Sequence, residues 1–130
     1  MWLWTEMEVD MTLKHVPVEL RNKYVDFTLN QHPLVMQLGG SDADALGFSA
    51  SLAKPHGYDE INLNCGCPSE KVVGKGCFGA TLMRDPDSVA ECCAAMAKNA
   101  DGIPISVKCR IGVDGNDSYD GLYRFVETIS

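Results

Sequence analysis

Glu60-Ile61-Asn62-Leu63-Asn64-Cys65-Gly66-Cys67-Pro68-Ser69 alternates apolar and polar residues and then stops at glycine and proline. Ile61, Leu63 and Cys65 fall on one side of a two-residue period, and Asn62 and Asn64 fall on the other. The pattern predicts a strand from Tyr58 to Cys65 that delivers the thiol of Cys67 into a loop. That loop runs on through Gly74-Lys75-Gly76-Cys77-Phe78-Gly79.

Working outward, the same unit recurs on both sides. Upstream, Pro33-Leu34-Val35-Met36-Gln37-Leu38 is a nearly continuous apolar run ending in Gly39-Gly40-Ser41-Asp42. It predicts a buried strand, then a helix capped by Ser41 and running from Asp42 to about His56, with Gly57 in the left-handed position at its end. Downstream, Asp85 and Pro86 predict a helix start, followed by Val89, Cys92, Cys93, Met96 and Ala97 at helical spacing. Ile103 to Gly112 then reads as a further strand, and Ser118 to Ser130 as an amphipathic helix. At the N-terminus, Trp2 to Met7 is β-prone, and Pro17 to Leu29 predicts a short helix or irregular layer.

Strict alternation of strand and helix predicts a parallel sheet with helical crossovers. Both an open doubly wound sheet and consecutive units of a (β/α)₈ TIM barrel satisfy it. The polar residues at the expected strand ends, Glu6, Gln37, Asn64, Cys67, Lys108 and Arg110, favour the barrel, whose chemistry gathers there. A whole barrel takes about 250 residues, so 130 residues amount to roughly half of one. The expectation is a single α/β domain over residues 1–130, forming part of a larger barrel.

Bulk composition narrows the function classes. The chain is 45% hydrophobic with a net charge of -7, so no overall basic field points to nucleic acid; such a partner has to be argued from a site. No apolar run approaches the ~20 residues of a membrane span, and the N-terminus shows neither a secretory core nor a transit-peptide bias. The expected setting is intracellular, cytoplasmic or in an organelle matrix, with the six cysteines as reduced thiols.

Each chemical candidate has two readings. Cys67, between a glycine and a proline, is either a proton donor or nucleophile, or a small buried hydrophobe. Cys65, two residues earlier, would share its face if the strand continued, but no second ligand pair stands at metal spacing, so no metal is expected. Lys108 closes an apolar strand either as a solvated end or facing an anionic, electron-rich ligand, and Arg110 points the same way. Gln37 is either a turn-capping amide or a group that reads the edge of a heterocycle. The glycines at 74, 76 and 79 lack the strand-turn-helix context of a dinucleotide fingerprint and are expected to let the backbone fold closely against the Cys67 loop or a flat ligand. His32, before a strand start, is expected on the opposite rim in a structural role.

With those residues in hand, the chain resembles the tRNA-dihydrouridine synthases over nearly its whole length. Five motifs appear in order: Trp4 to Met7, Gln37 to Ser41, Asp59 to Ser69, Phe78 to Met83 and Val107 to Gly112, with Asp117-Ser118-Tyr119 behind them. The resemblance implies an oxidoreductase that reduces the C5–C6 double bond of uridine in tRNA, using FMN reduced by NADPH. It implies that Cys67 is the general acid for C5, that Gln37 and Lys108 bind the flavin, and that Asn64, with Arg110, lies on the substrate side. The target base would have to leave the stack to reach this pocket. A dihydroorotate dehydrogenase-like barrel shares an Asn-x-x-Cys-Pro loop but not Gln-Leu-Gly-Gly-Ser or Val-Lys-x-Arg-Ile-Gly.

The resemblance also aligns the chain with the family's strands two to five. The Ala-Pro-Met first strand, the later strands and the basic C-terminal helical domain have no counterpart in it. The alternative expectation is therefore an inactive fragment that persists as an assembly module, two half barrels pairing through their open edges.

Overall fold

The computed structural model describes residues 1–68, 79–115 and 117–130. Gly74, Gly76 and Cys77, singled out above, lie outside the described residues. Strands β1 (Leu3–Trp4), β2 (Glu8–Val9), β3 (Leu34–Gly39), β4 (Glu60–Cys65) and β5 (Ile105–Cys109) form one sheet with all pairings parallel. Helices α1 (Asp10–His15), α2 (Val18–Val25), α3 (Ala43–Ser51), α4 (Ala53–His56), α5 (Pro86–Asn99) and α6 (Tyr119–Ile129) alternate with the strands, and a 3₁₀ helix spans Gly79–Arg84. Of the two architectures the alternation allows, this is the partial TIM barrel that the polar strand ends favour.

The N-terminal strand is the least regular. Trp4 pairs with Val35 and Glu8 with Leu38, so four steps along one strand answer three along the other. Within the break the hydroxyl Oγ1 of Thr5 accepts the Gln37 N–H at 3.0 Å. The expected single strand from Trp2 to Met7 is therefore two short strands on one edge of β3, separated by a bulge.

On β3 and β4, Leu34, Met36, Leu38, Ile61, Leu63 and Cys65 turn to the helices and join Leu46, Val89, Cys92 and Met96 in one buried core. Burial of these side chains at about 25 cal/mol per Å² is the main force holding sheet to helices, and α3 packs along α5 over that core. Gln37, Asn62, Asn64, Ser106 and Lys108 lie on the opposite face, because side chains alternate along a strand.

Several boundaries differ from the sequence expectation. The cap of α3 is Asp42, not Ser41: the Asp42 carbonyl is the first to accept a helical bond, from Leu46 N at 2.9 Å, and its Oδ1 takes Ala45 N at 2.7 Å. The helix expected to run from Asp42 to His56 breaks at Leu52, because Pro55 has no N–H for the Ser51 carbonyl. Gly57 ends α4 with φ +84°, in the left-handed position expected for it. Asp85 and Pro86 open α5, with Asp85 Oδ1 accepting Ser88 N at 3.2 Å. Helix α1 was not expected; Asp10 in its first turn, Lys14 and His15 in its last, and Pro17 beyond were the available signals.

At the N-terminal ends of the strands, His32 Nδ1 and the Leu34 N–H both meet Asp59 Oδ2, at 2.8 and 2.7 Å. Phe27 packs its ring against both His32 and Tyr58. His32 thus has the structural position, on the rim away from Cys67, that its sequence context suggests.

Candidate functional site at the strand ends

Asn64 organises the end of β4. Its Oδ1 accepts the backbone N–H of Gly66 and of Cys67, both at 2.9 Å, which bends the chain immediately after Cys65. The strand alternation stops there, so the expectation that Cys65 and Cys67 share a face fails. Cys65 is fully buried in the helix-side core, while Cys67 is partly exposed. Burial pushes the Cys65 thiol up to about 12, assisted by the neighbouring thiols Cys93, Cys109 and Cys92. That leaves Cys67 as the thiol of this pair with access to a ligand.

The loop is braced from two further sides. Gly79, at φ +75°, sits so close that a Cβ there would come within 2.5 Å of the Cys67 carbonyl oxygen. Ala80 N donates to that same oxygen at 2.9 Å. Only a residue without a side chain allows this approach.

Asn64 Nδ2 donates to Gln37 Oε1 at 3.1 Å, and Gln37 Nε2 donates to Asn62 Oδ1 at 3.1 Å. Asn62 Nδ2 in turn donates to Ser106 Oγ at 2.9 Å, and the Ser106 hydroxyl donates to Glu60. Gln37 is not at a strand end as expected. It is two residues inside β3, because Leu38 and Gly39 continue the ladder with β2. Asn62, Ser106 and Glu60 were not singled out from the sequence. The signal was the polar period Glu60, Asn62, Asn64, but only the cross-strand register brings Gln37 and Ser106 to it.

Lys108 and Arg110 converge on the same loop. A Cβ on Gly66 would stand 3.5 Å from Lys108 Nζ and 3.8 Å from Arg110 Cγ. Arg110 Nε donates to the Gly66 carbonyl at 2.7 Å. Both side chains are exposed and neither forms an ion pair among the described residues. Asn64, Cys67, Lys108 and Arg110 therefore gather where β4 and β5 end, and Gln37, two residues inside β3, joins them through Asn64.

A cavity of about 640 Å³ lies to one side, lined by Met83, Arg84, Ile111, Leu122 and Phe125 among others. None of the five candidates lines it. The strand-end face, where a thiol, two amides and two cations lie near one another, is the candidate site followed below. No helix among the described residues is long and apolar enough to cross a membrane.

Comparison with known proteins fits this geometry. The family model described as dihydrouridine synthase (Dus) matches residues 3–130. A protein of Xanthomonas axonopodis pv. citri is 52% identical over 109 residues, covering 84% of this chain and 32% of its own length. Proteins of Vibrio cholerae and Escherichia coli O6:H1 are 46% and 45% identical over 128 residues, each covering 98% of this chain and 37% of its own length. All three are named tRNA-dihydrouridine(20/20a) synthase. This chain spans about a third of the length of these relatives. The match of nearly the whole chain, together with a thiol loop held over a parallel sheet end, establishes that the chain belongs to the dihydrouridine synthase family.

Proposed function

We propose that residues 1–130 form the thiol-bearing part of a flavin-dependent tRNA-dihydrouridine synthase domain, which reduces the C5–C6 bond of a uridine in tRNA. The observation that carries the proposal is Cys67, partly exposed, its backbone held by Asn64, on a loop whose Gly66 lies against Lys108 and Arg110. A general acid must carry a transferable proton near the reacting atom, and Cys67, with its backbone held by Asn64 and its side chain partly exposed, is able to present one.

The donor set suits FMN. Gln37 uses one N–H and one lone pair within the sheet and keeps one of each for a ring edge. Lys108 offers an exposed ammonium without an ion-pair partner among the described residues, able to favour negative charge on a bound ring. When bound, FMN with NADPH as reductant supplies hydride chemistry at C6 of the uracil. Asn64 orients the loop so that Cys67 holds its proton toward C5, and its remaining Nδ2 hydrogen is available to the base. Arg110, anchored to the Gly66 carbonyl, keeps guanidinium N–H groups for a flipped nucleotide. The setting would be intracellular, cytoplasmic or an organelle matrix.

The test is a chimera in which residues 3–130 replace the matching segment of the Vibrio cholerae relative. Dihydrouridine formation in unmodified tRNA is the expected result; a folded, flavin-loaded chimera without it would overturn the proposal.

A second reading, an assembly module, is favoured by one observation. Trp2, Leu3 and Trp4 are exposed at and just before β1, whose outer edge pairs with no described strand. An apolar edge of this kind seeks another strand.

A further inference from the structure

We propose that Glu60, Ser106 and Asn62 are positioning residues that fix which way the amides of Gln37 and Asn64 point, and through Asn64 the backbone of Cys67. The functional weight of this inference rests on the site proposed above; its geometry does not.

The hydrogen bonds from Glu60 to Cys67 form a chain with a direction. At one end the Gly66 and Cys67 N–H groups can only donate, so Asn64 must turn its oxygen to them. Its Nδ2 then faces Gln37 Oε1, which turns Gln37 Nε2 to Asn62 Oδ1. Asn62 Nδ2 is left facing Ser106 Oγ, whose hydroxyl proton goes to Glu60. At this other end an ionised carboxylate can only accept. Both ends therefore impose the same direction on the three amides between them. Reversing any one amide creates a donor–donor and an acceptor–acceptor contact at once. Asn62 is 1% exposed, so water cannot relieve such a mismatch.

The consequence reaches the ligand face. The hydrogen and lone pair that Gln37 offers, and the hydrogen that Asn64 offers, are ordered by residues farther back along the sheet. A carboxylate at the start of β4 sets the polarity read at its end.

The experiment is amide hydrogen exchange by NMR on the uniformly labelled 130-residue chain, as wild type, Glu60→Gln, Ser106→Ala and Ser106→Thr. Removing the hydroxyl or the acceptor-only terminus is expected to lower protection of the Gly66 and Cys67 N–H groups by about tenfold, the scale of one weakened hydrogen bond. Ser106→Thr keeps the hydroxyl and is expected to restore it. Protection within twofold of wild type in both Glu60→Gln and Ser106→Ala would overturn the proposal. An equal loss at Leu38 and Leu63 would also overturn it, since the three residues would then hold the sheet and not the loop. Neither flavin nor tRNA is needed, so failure here leaves the proposed function standing, and an inactive chimera with the expected exchange pattern leaves the relay standing.

Discussion

Asn64 holds Cys67 by the main chain: its Oδ1 accepts the Cys67 N–H at 2.9 Å and makes no use of the thiol. Reactive group and restraint are thus separable by mutation. In the chimera, Cys67→Ala is expected to slow dihydrouridine formation by about a hundredfold, the usual scale for a lost general acid. Reduction of the flavin by NADPH should remain at the wild-type rate. Stopped-flow measurement of the two half-reactions checks this, and equal loss in both would contradict the role of Cys67.

Gly79→Ala should damage the same loop from the other side. The φ of +75° strains any side-chain-bearing residue, and the added Cβ would collide with the Cys67 carbonyl oxygen. A loss of about 1–3 kcal/mol in urea unfolding is expected. A variant as stable as wild type would mean that the loop and the 3₁₀ helix are not packed as described.

Alkaline pH should unfold the chain early. Burial pushes Cys65 up to about 12, Cys92 to about 11 and Tyr58 to about 12. In each case the folded state holds its proton more tightly than the unfolded state, so the associated stability is complete below the unfolded pKa. For the thiols it is lost as pH rises from about 8.5 toward those folded values, and for the phenol from about 10. Replacing Cys65 by valine removes one titrating thiol. The slope of stability against pH between 9 and 11 should become shallower by about 1.4 kcal/mol per pH unit. An unchanged slope would show that Cys65 is not buried in the core.

Self-association is expected from the sheet edges. Trp4 is exposed at one edge, and Lys108 and Arg110 are exposed on the strand and loop at the other. Size-exclusion chromatography with light scattering should give a dimer mass that falls to the monomer mass in Trp4→Lys. A monomer at every concentration removes the assembly reading.

Sequence pattern carried most of the architecture. The alternation Ile61, Leu63, Cys65 against Asn62, Asn64 is a local property of one strand, and so are the caps at Asp85 and Gly57. The five site candidates each sit in a motif with a distinctive neighbour, and the structure brings them together at one face. The polar chain was not legible, because pairing Gln37 with Asn62 and Asn62 with Ser106 depends on register between residues 25 and 44 apart. Gly66 and Pro68 marked the end of the strand, but not that the Asn64 side chain would bend the backbone there and part Cys65 from Cys67. The break of α3 at Leu52 needed only Pro55, whose missing N–H acts on the turn before it.

The extra residue between Trp4 and Glu8 acts as a phase shift. It resets which side of the sheet each later residue of that edge faces, so Glu8 and Val9 occupy the opposite faces from those an unbroken count from Leu3 would assign. Deleting one residue from Thr5 to Met7 would leave the composition almost untouched. It would close the bulge, leaving Glu8 opposite Leu38 in a continuous register and removing the break in which Thr5 accepts the Gln37 N–H. In this segment the spacing of residues carries more structural information than their identity.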